Sequence, residues 1–193
     1  MVQQESVEMT DMEFQRECRQ ILSEITGMIA QVKEAELVAL EEAIATAGAT
    51  FVTGAGRSGL IGRCLAVRLA QLGLTSHVLG DSVTSAIRRG DLLVAVSRSG
   101  ETPTTCLHAR LAAGLGARVA AITAVPTSTL ANTAQIKAVV GATSKNRVST
   151  SVQYGGSLFE QSLLVLLDAV ALRLQQRLGQ TADQMDSRHA NLE

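Results

Sequence analysis

Residues 92–102 read Leu-Leu-Val-Ala-Val-Ser-Arg-Ser-Gly-Glu-Thr, and this stretch decides the fold class of the chain. Its first five residues are apolar without alternation, which predicts a central strand of a parallel sheet, buried on both faces. A turn rich in serine and glycine follows, and Pro103 fits the first turn of a helix. In open α/β sheets, ligands bind beyond the carboxyl ends of the strands. The stretch therefore predicts a hydroxyl-rich turn at a position where a ligand would bind.

The hydroxyls of this turn, on Ser97, Ser99 and Thr102, admit two interpretations. In the first interpretation, one of the three hydroxyls caps the helix that begins at Pro103, and a cap needs only one hydroxyl. Alternatively, the three hydroxyls and Arg98, together with the unpaired N–H groups of a helix N-terminus, form an anion site, for which phosphate is the commonest occupant. Three hydroxyls within six residues favour the anion site.

Strands and helices alternate along the rest of the chain. Strands are predicted at 50–53, 76–79, 92–96, 118–123 and 136–140, with helical or short connecting segments between them. This alternation predicts an all-parallel sheet with right-handed crossovers. At 193 residues the chain fits one domain. We expect a single α/β domain, a five-stranded parallel sheet flanked by helices in a Rossmann-like or flavodoxin-like three-layer sandwich.

The two ends of the chain are predicted to be helical. Two helices lie between residues 10 and 48, and the first begins at a capping box of Thr10 and Glu13. Apolar residues of this first helix alternate four and three apart, at Phe14, Cys18, Ile21, Ile25, Met28 and Val32. That stripe could pack on the chain's own sheet or on a second copy, and its regularity favours the second copy. Helices are also predicted within 157–193, after a polar loop at 141–156 whose length is typical of functional or mobile loops.

Composition excludes several classes of protein. A net charge of −1 and 2% aromatic residues provide neither the basic surface nor the stacking side chains that nucleic acid requires. Apolar runs are too short to span a membrane and the first residues do not resemble a signal peptide, so we expect a cytoplasmic protein without a membrane partner. The histidines are isolated, and Cys18, Cys64 and Cys106 are predicted to be small core residues, so we expect no metal.

A second turn, Gly54-Ala55-Gly56-Arg57-Ser58-Gly59, follows the first predicted strand and begins a helix. It matches the dinucleotide pattern G-x-G-x-x-G, and Asp81 lies about twenty residues further on. Against a dinucleotide stands the serine-rich turn after the third strand, which a monophosphate site needs and a dinucleotide fold does not. Arg57 and Ser58 could also point their side chains at an anion. A NAD-dependent dehydrogenase remains an alternative, which a fluorescence titration with NAD would exclude.

Four motifs of the chain resemble those of the sugar isomerase (SIS) family. They are the turn at 54–59, Ser97-x-Ser99-Gly100-Glu101-Thr102, Gly156-Ser157-Leu158-Phe159-Glu160-Gln161, and the ending Arg188-His189-Ala190-Asn191-Leu192-Glu193. The first two are general to the family, whereas the last two resemble its 6-phospho-3-hexuloisomerases. The resemblance implies a single SIS domain over residues 1–193. In it, the helices of 10–48 and 157–193 pack on the sheet and on neighbouring subunits, in a tetramer with active sites at subunit interfaces.

The resemblance also implies an activity, the interconversion of 3-hexulose 6-phosphate and fructose 6-phosphate through an enediolate. This reaction serves formaldehyde fixation by the ribulose monophosphate pathway, or its reverse, and needs no cofactor. Glu160 and His189 would be catalytic, with His189 reaching the site of an adjacent subunit. The residues that would hold the phosphate are Ser97, Ser99, Gly100, Thr102 and Ser58, and those that would contact the rest of the substrate are Gly54, Gly56, Arg57, Arg98 and Glu101. Many relatives have a smaller residue at the position of Arg98, which leaves the identity of the sugar open.

Alternatives remain from the residues themselves. Glu160 could be the base that removes a proton next to a carbonyl, or it could only complement the positive end of its helix. Without the resemblance, His189 would be a surface histidine near a chain terminus. The chain could also be another SIS isomerase, acting on pentose or heptose phosphates, or a non-catalytic sugar-phosphate-binding module. A regulator of transcription would need a DNA-binding helix-turn-helix, for which the N-terminal region is too short.

Overall fold

The protein is described by a computed structural model over residues 2–141 and 151–191, with side chains from residue 13 onward. In these ranges, one parallel sheet contains the strands β1 (Thr50–Gly54), β2 (Ser76–Val78), β3 (Leu92–Val96), β4 (Arg118–Thr123) and β5 (Ile136–Val139). Their spatial order is β2-β1-β3-β4-β5. The predicted five-stranded parallel sheet is confirmed, although β2 and β5 each end one residue earlier than expected.

The order of the strands creates a crevice between β1 and β3. These two strands are neighbours in register, and the last residue of one, Gly54, lies opposite the last residue of the other, Val96. From β1 the chain continues to β2 on one side of the sheet, whereas from β3 it continues to β4 on the other side. The connections after β1 and β3 thus diverge. Such a switch point is where parallel sheets with this strand order bind their ligands.

Helices cover the sheet and extend beyond it. Within the described residues they are α1 (Val2–Ile29), α2 (Glu34–Ala45), α3 (Gly56–Gln71), α4 (Pro103–Gly114), α5 (Thr129–Thr133), α6 (Ser157–Leu178) and α7 (Ala182–Asp186). The ends of α6 and α7 follow local rules: Gly179 takes the left-handed conformation that stops α6, and Thr181 and Gln184 form a capping box that starts α7. None of these helices is both long and apolar enough to cross a bilayer.

Each face of the sheet buries its own apolar cluster. On one face, side chains of α2, α3 and α6, such as Leu40, Leu69 and Leu163, pack against the sheet. On the other face, α4 and α5 cover residues that include Phe51 and Leu93. The structure is therefore the predicted three-layer sandwich, with β3 buried along its whole length. The two layers of helices begin at opposite sides of the crevice, because α3 and α4 follow β1 and β3.

The N-terminal helix differs from the prediction. It begins at Val2 rather than at Thr10, because residues 2–9 contain neither glycine nor proline and the helix continues through them. Near its C-terminal end, Met28 and Ile29 pack against the cluster that contains α6. Further towards its N-terminus, Phe14 of the predicted stripe is 71% exposed, and Leu22, which lies beside the stripe, is 61% exposed. Packing of this stripe on a second copy stays a prediction.

Two further expectations concern single segments. Cys64 is exposed rather than buried, because it lies beside the face of α3 that turns Leu65 and Leu69 to the core. Cys106 is buried as predicted, and Cys18 is half-buried. Of the polar loop predicted at 141–156, residues 142–150 lie outside the described part of the chain, as do residues 192–193 of the C-terminal motif.

Candidate active site

Three helix N-termini come together at the crevice between β1 and β3. The helices α3 and α4 begin there because they follow the two strands directly. The third, α6, is distant in sequence and reaches the crevice because it packs against α3 on the same face of the sheet. Helix N-termini carry unpaired N–H groups and a partial positive charge. The crevice is therefore suited to an anionic ligand.

The glycine turn between β1 and α3 is built by close backbone contact. A Cβ atom on Gly59 would lie 2.5 Å from the carbonyl oxygen of Gly54, and one on Gly54 would lie 2.9 Å from the Cα of Gly59. Gly56 has a φ of +57°, a conformation that favours glycine. These glycines let the start of α3 pack directly on the end of β1. The G-x-G-x-x-G pattern thus has a packing role that requires no dinucleotide.

The serine turn between β3 and α4 is built by hydroxyl groups instead. The Oγ of Ser97, which is 2% exposed, accepts a hydrogen bond from the Gly100 N–H at 3.1 Å and shares another with the Thr102 Oγ1 at 2.9 Å. The Ser99 Oγ is exposed and accepts from the Glu101 N–H at 3.2 Å. Thr102 is the N-cap residue of α4, yet its side chain makes no capping hydrogen bond. The interpretation that these hydroxyls serve mainly as helix caps is therefore wrong for Thr102.

Backbone contacts with the next strand and helix hold the serine turn in place. The carbonyl oxygen of Arg98 accepts from the Ala124 N–H at 3.0 Å, and that of Gly100 accepts from the Leu130 N–H at 3.0 Å. Gly100 has a φ of +64°, and a Cβ there would collide with the side chain of Ser128. The Oε1 of Glu101 accepts from the Thr129 N–H at 3.2 Å. Glu101 is therefore engaged with α5.

Glu160 lies in the first turn of α6 and faces α3 across the crevice. It is 8% exposed, and its Oε2 lies 2.7 Å from the Nε of Arg57. The two atoms are close, but the N–H is not aligned for a hydrogen bond, and no described group donates one to this buried oxygen. We read the contact as an ion pair, because its distance is short and the charges are opposite. The oxygen thus keeps an acceptor position for a proton.

Arg98 brings a second guanidinium group to the same place. Gly156, the N-cap residue of α6, lies between Arg98 and Glu160. A Cβ on Gly156 would lie 3.1 Å from the Glu160 Oε1 and 3.3 Å from the Cδ and Nε of Arg98. The absence of a side chain at Gly156 therefore lets both groups approach the start of α6. Ser58, in the first turn of α3, is largely buried beside Arg57.

His189 lies away from the crevice of its own chain. Its neighbour Arg188 donates a hydrogen bond from Nη1 to the carbonyl oxygen of Gln71, at the C-terminal end of α3, at 3.1 Å. The 16 residues of α3 separate that end from Gly56 by about 24 Å. The exposed ring of His189 therefore cannot serve the site formed by Arg57 and Glu160 of the same chain. A role in an adjacent subunit's site remains a prediction.

Glu24 is a residue of this region that the sequence did not single out. From α1, its carboxylate contacts residues 151–153, the segment that precedes Gly156 and Glu160. Nothing in the sequence distinguishes it from the other acidic residues of α1, and its partners lie 127 to 129 positions away. Only the packing of α1 beside α6 could have revealed it. Among the described residues, no group of three potential metal ligands occurs.

Comparison with known proteins identifies the family to which this chain belongs. A model of the SIS domain matches residues 43–159, a range that contains both turns and ends one residue before Glu160. This chain belongs to the SIS domain family. The chain is also 41% identical to the 3-hexulose-6-phosphate isomerase of Mycobacterium gastri over 90% of this chain and 88% of that protein. Identity to the 3-hexulose-6-phosphate isomerase of Bacillus subtilis is 36%, over 90% and 96% of the two chains.

A solved structure agrees with these relatives. A crystal structure of a protein from Methanococcus jannaschii, for which a function of 3-hexulose-6-phosphate isomerase was inferred, superposes on this SIS domain protein with a TM-score of 0.79. Sequence identity is 28%, and the match covers 92% of this chain and 99% of that chain. The terminal helices of this SIS domain protein thus have counterparts in that structure, because the match extends well beyond residues 43–159.

Proposed function

We propose that this SIS domain protein is a sugar-phosphate isomerase that interconverts 3-hexulose 6-phosphate and fructose 6-phosphate. One observation carries the proposal: the buried carboxylate of Glu160 lies beside a guanidinium group and next to a hydroxyl-rich turn, at the switch point of the sheet. Relatives named 3-hexulose-6-phosphate isomerase, at 33 to 41% identity over most of the chain, support this choice of substrate.

The reaction requires a base, a group that stabilises negative charge, and an anchor. In fructose 6-phosphate the base removes the proton from C3, and the electron pair moves into the C2–C3 bond. Negative charge then develops on the C2 oxygen and gives a 2,3-enediolate. Transfer of a proton between the two oxygens, followed by return of a proton to C2, yields the 3-ketose. A fixed phosphate keeps the reacting carbons beside the base during these steps.

The serine turn is suited to hold the phosphate. Ser99 and Thr102 present hydroxyl groups, and the first N–H groups of α4 have no partner within the helix. Ser97 is buried and shapes the turn through its bonds to Gly100 and Thr102. We propose that Ser58 and Arg98 add contacts from either side of the crevice. Gly54, Gly56 and Glu101 complete its wall as they shape the two turns.

Glu160 is suited to be the base. Its Oε2 is buried, carries no aligned hydrogen bond from the described residues, and can therefore accept the carbon-bound proton. Arg57 stabilises the charged carboxylate before the reaction. When the carboxylate takes up the proton, the same guanidinium lies close to the enediolate oxygen and stabilises its charge. The Arg57 guanidinium thus stabilises the Glu160 carboxylate before the proton transfer and the enediolate after it.

The proposal extends to the assembly and its setting. His189 would reach the crevice of an adjacent subunit and assist ring opening or proton transfer, because an imidazole can both donate and accept a proton. Helix α1, on which Phe14 and Leu22 are exposed, would contribute to a tetramer of such subunits. We place the enzyme in the cytoplasm, in formaldehyde fixation by the ribulose monophosphate pathway or in its reverse.

A single substitution tests the base. Glu160→Gln keeps the size of the side chain but cannot accept the proton, so we expect kcat for fructose 6-phosphate to fall on the order of 10³-fold with little change in KM. The control is Asp168→Asn, which neutralises another carboxylate of α6. The Oδ1 of Asp168 is paired with the Nε of Arg68 at 3.4 Å. We expect the control to keep the wild-type rate.

Three outcomes would contradict parts of the proposal. An active Glu160→Gln variant would place the base elsewhere. Wild-type protein that binds fructose 6-phosphate without converting it would indicate a sugar-phosphate-binding module. Turnover of a pentose or heptose phosphate in preference to the hexulose phosphate would keep the isomerase and change its substrate.

A further inference from the structure

A carboxylate on α1 gathers three donors from the chain that leads into α6. The Oε2 of Glu24 accepts a hydrogen bond from the Ser151 Oγ at 2.7 Å and one from the Gln153 Nε2 at 3.2 Å. Its Oε1 accepts from the Val152 N–H at 2.9 Å. The Ser151 Oγ also accepts from the Gln153 N–H at 3.0 Å. One side chain thus holds the backbone of Val152 and the side chains of Ser151 and Gln153.

We infer that Glu24 is a positioning residue for the proposed isomerisation, acting on Glu160 through the segment 151–156. This inference rests on the proposed function, because it takes Glu160 to be the base. Glu24 itself lies on α1 and touches neither Glu160 nor the turns of the crevice in the contacts described above. Its effect on the reaction must therefore pass through the backbone that it holds.

The segment has two kinds of attachment. At its C-terminal end, the Ser157 Oγ donates to the Tyr154 carbonyl oxygen at 3.0 Å, which joins the segment to the start of α6. Tyr154 is 96% exposed, so its ring contributes no packing. The hydrogen bonds that Glu24 accepts join the other end to α1 instead. Since Met28 and Ile29 of α1 pack against the core, the carboxylate extends from a fixed element.

Small displacements of this segment would alter the position of the Glu160 carboxylate, because Gly156 at the end of the segment lies next to it. Its Cα lies so close to the Glu160 Oε1 and to Arg98 that even a methyl group would be tightly placed between them. Gly155, with a φ of +66°, makes the bend just before it. A shift of residues 151–155 would therefore move Gly156 against the carboxylate or away from it. A misplacement of about 1 Å can reduce a reaction rate on the order of 100-fold.

The ionised form of Glu24 is the form that the site stabilises. Its hydrogen bond with Ser151, followed by the one from the Val152 N–H, lowers the pKa of Glu24 below its ordinary value. A carboxylate has two acceptor oxygens, whereas the amide of glutamine has one acceptor and one donor group. Glutamine at position 24 would therefore present its NH2 group either to both Ser151 and Gln153 or to the Val152 N–H, where an acceptor is needed.

The test compares three variants of the whole protein. Glu24→Gln removes the charge and one acceptor, Glu24→Asp keeps both but is one methylene shorter, and Glu17→Gln alters an exposed carboxylate two turns away on the same helix, paired with Arg16 at 3.2 Å. The readouts are kcat and KM with fructose 6-phosphate, the thermal unfolding midpoint, and hydrogen exchange of the Val152 amide by NMR.

We expect a specific pattern. In Glu24→Gln, kcat falls about tenfold while KM stays within about twofold, and the Val152 amide exchanges faster although the unfolding midpoint is unchanged. Glu24→Asp lies between Glu24→Gln and the wild type in both readouts. Glu17→Gln matches the wild type throughout. The split between kcat and KM, with intact stability, distinguishes positioning from a general loss of structure.

Two results would overturn the inference. One is wild-type kcat in Glu24→Gln together with faster exchange at Val152. The hydrogen bonds between Glu24 and residues 151–153, here called the clamp, would then exist without affecting the base. The other is unchanged exchange at Val152, because the clamp itself would then be absent. If the wild type has no isomerase activity, the proposed function fails and, with it, the role in catalysis; faster exchange in Glu24→Gln would still establish the clamp.

Discussion

The two turns that face each other across the crevice follow neighbouring strands, yet they are built in opposite ways. The turn at 54–59 takes its shape from missing side chains, since Gly54 and Gly59 bring the backbones of β1 and α3 into contact. The turn at 97–102 takes its shape from side chains that are present, since Ser97 ties Gly100 and Thr102 together. Each turn then carries one arginine towards α6.

This difference shows why a glycine pattern is a weak indicator of a ligand. The spacing G-x-G-x-x-G satisfies a packing requirement wherever a helix starts tightly after a strand. Hydroxyl groups clustered on the neighbouring turn are a stronger indicator of a ligand site than the glycines are, because packing alone does not require them. Changes in the first turn should therefore act mainly on stability, and changes in the second mainly on substrate binding.

The largest effect is expected from Gly59→Ala. The new Cβ would lie 2.5 Å from the Gly54 carbonyl oxygen, a backbone atom that cannot move without shifting β1. We expect the free energy of unfolding to fall by about 3 kcal/mol, at the upper end for overpacking, measured by urea denaturation. Gly114→Ala is the control, because its Cβ would meet no atom within 4 Å and alanine favours a helix. Equal stability of the two variants would contradict the packing role of the first turn.

The next effect separates the two arginines. Arg57 pairs with Glu160, whereas Arg98 belongs to the serine turn. We expect Arg57→Gln to lower kcat about tenfold, because the enediolate loses its nearest cation, and Arg98→Gln to raise KM by a similar factor, because the phosphate loses a contact. Steady-state kinetics on both variants measure this split. A rise in KM alone for both would assign both arginines to the phosphate.

The smallest effect distinguishes two serines of the second turn. Ser97→Ala removes a buried hydroxyl that is hydrogen-bonded to Gly100 and Thr102, which should lower the free energy of unfolding by about 1 kcal/mol and raise KM as well. Ser99 is exposed, so Ser99→Ala should raise KM with no measurable change in stability. Urea denaturation and kinetics of the pair provide the measurement. If Ser99→Ala left KM unchanged, the phosphate would not lie at this turn.

Much of the fold could be predicted from local patterns. The unbroken apolar stretch of β3 and the alternation of strands and helices are properties of neighbouring residues, and they predicted the parallel sheet. Errors arose where a local signal competed with context. The capping box at Thr10 matched the pattern of a helix start, but no residue before it stops the helix. Cys64 lies one position from the buried face of α3 and is exposed.

The site was predictable only in part, for a physical reason. Both turns could be found because strands in register end together, so residues that follow them must meet. The approach of Glu160 to Arg57 depends on how α6 packs against α3, more than one hundred residues apart in sequence. Glu24 depends on a third helix, and its contacts are polar and long-range, so they leave no periodic pattern in the sequence.

Solvent exchange into fructose 6-phosphate tests the role of the crevice most directly. The wild-type protein is incubated with fructose 6-phosphate in heavy water, and the loss of each carbon-bound proton is followed by NMR, with Glu160→Gln as the comparison. We predict exchange at C3 in the wild type and none in the variant. Exchange at C1 would instead indicate an aldose–ketose isomerase, and exchange at C3 that persists in Glu160→Gln would contradict the assignment of the base.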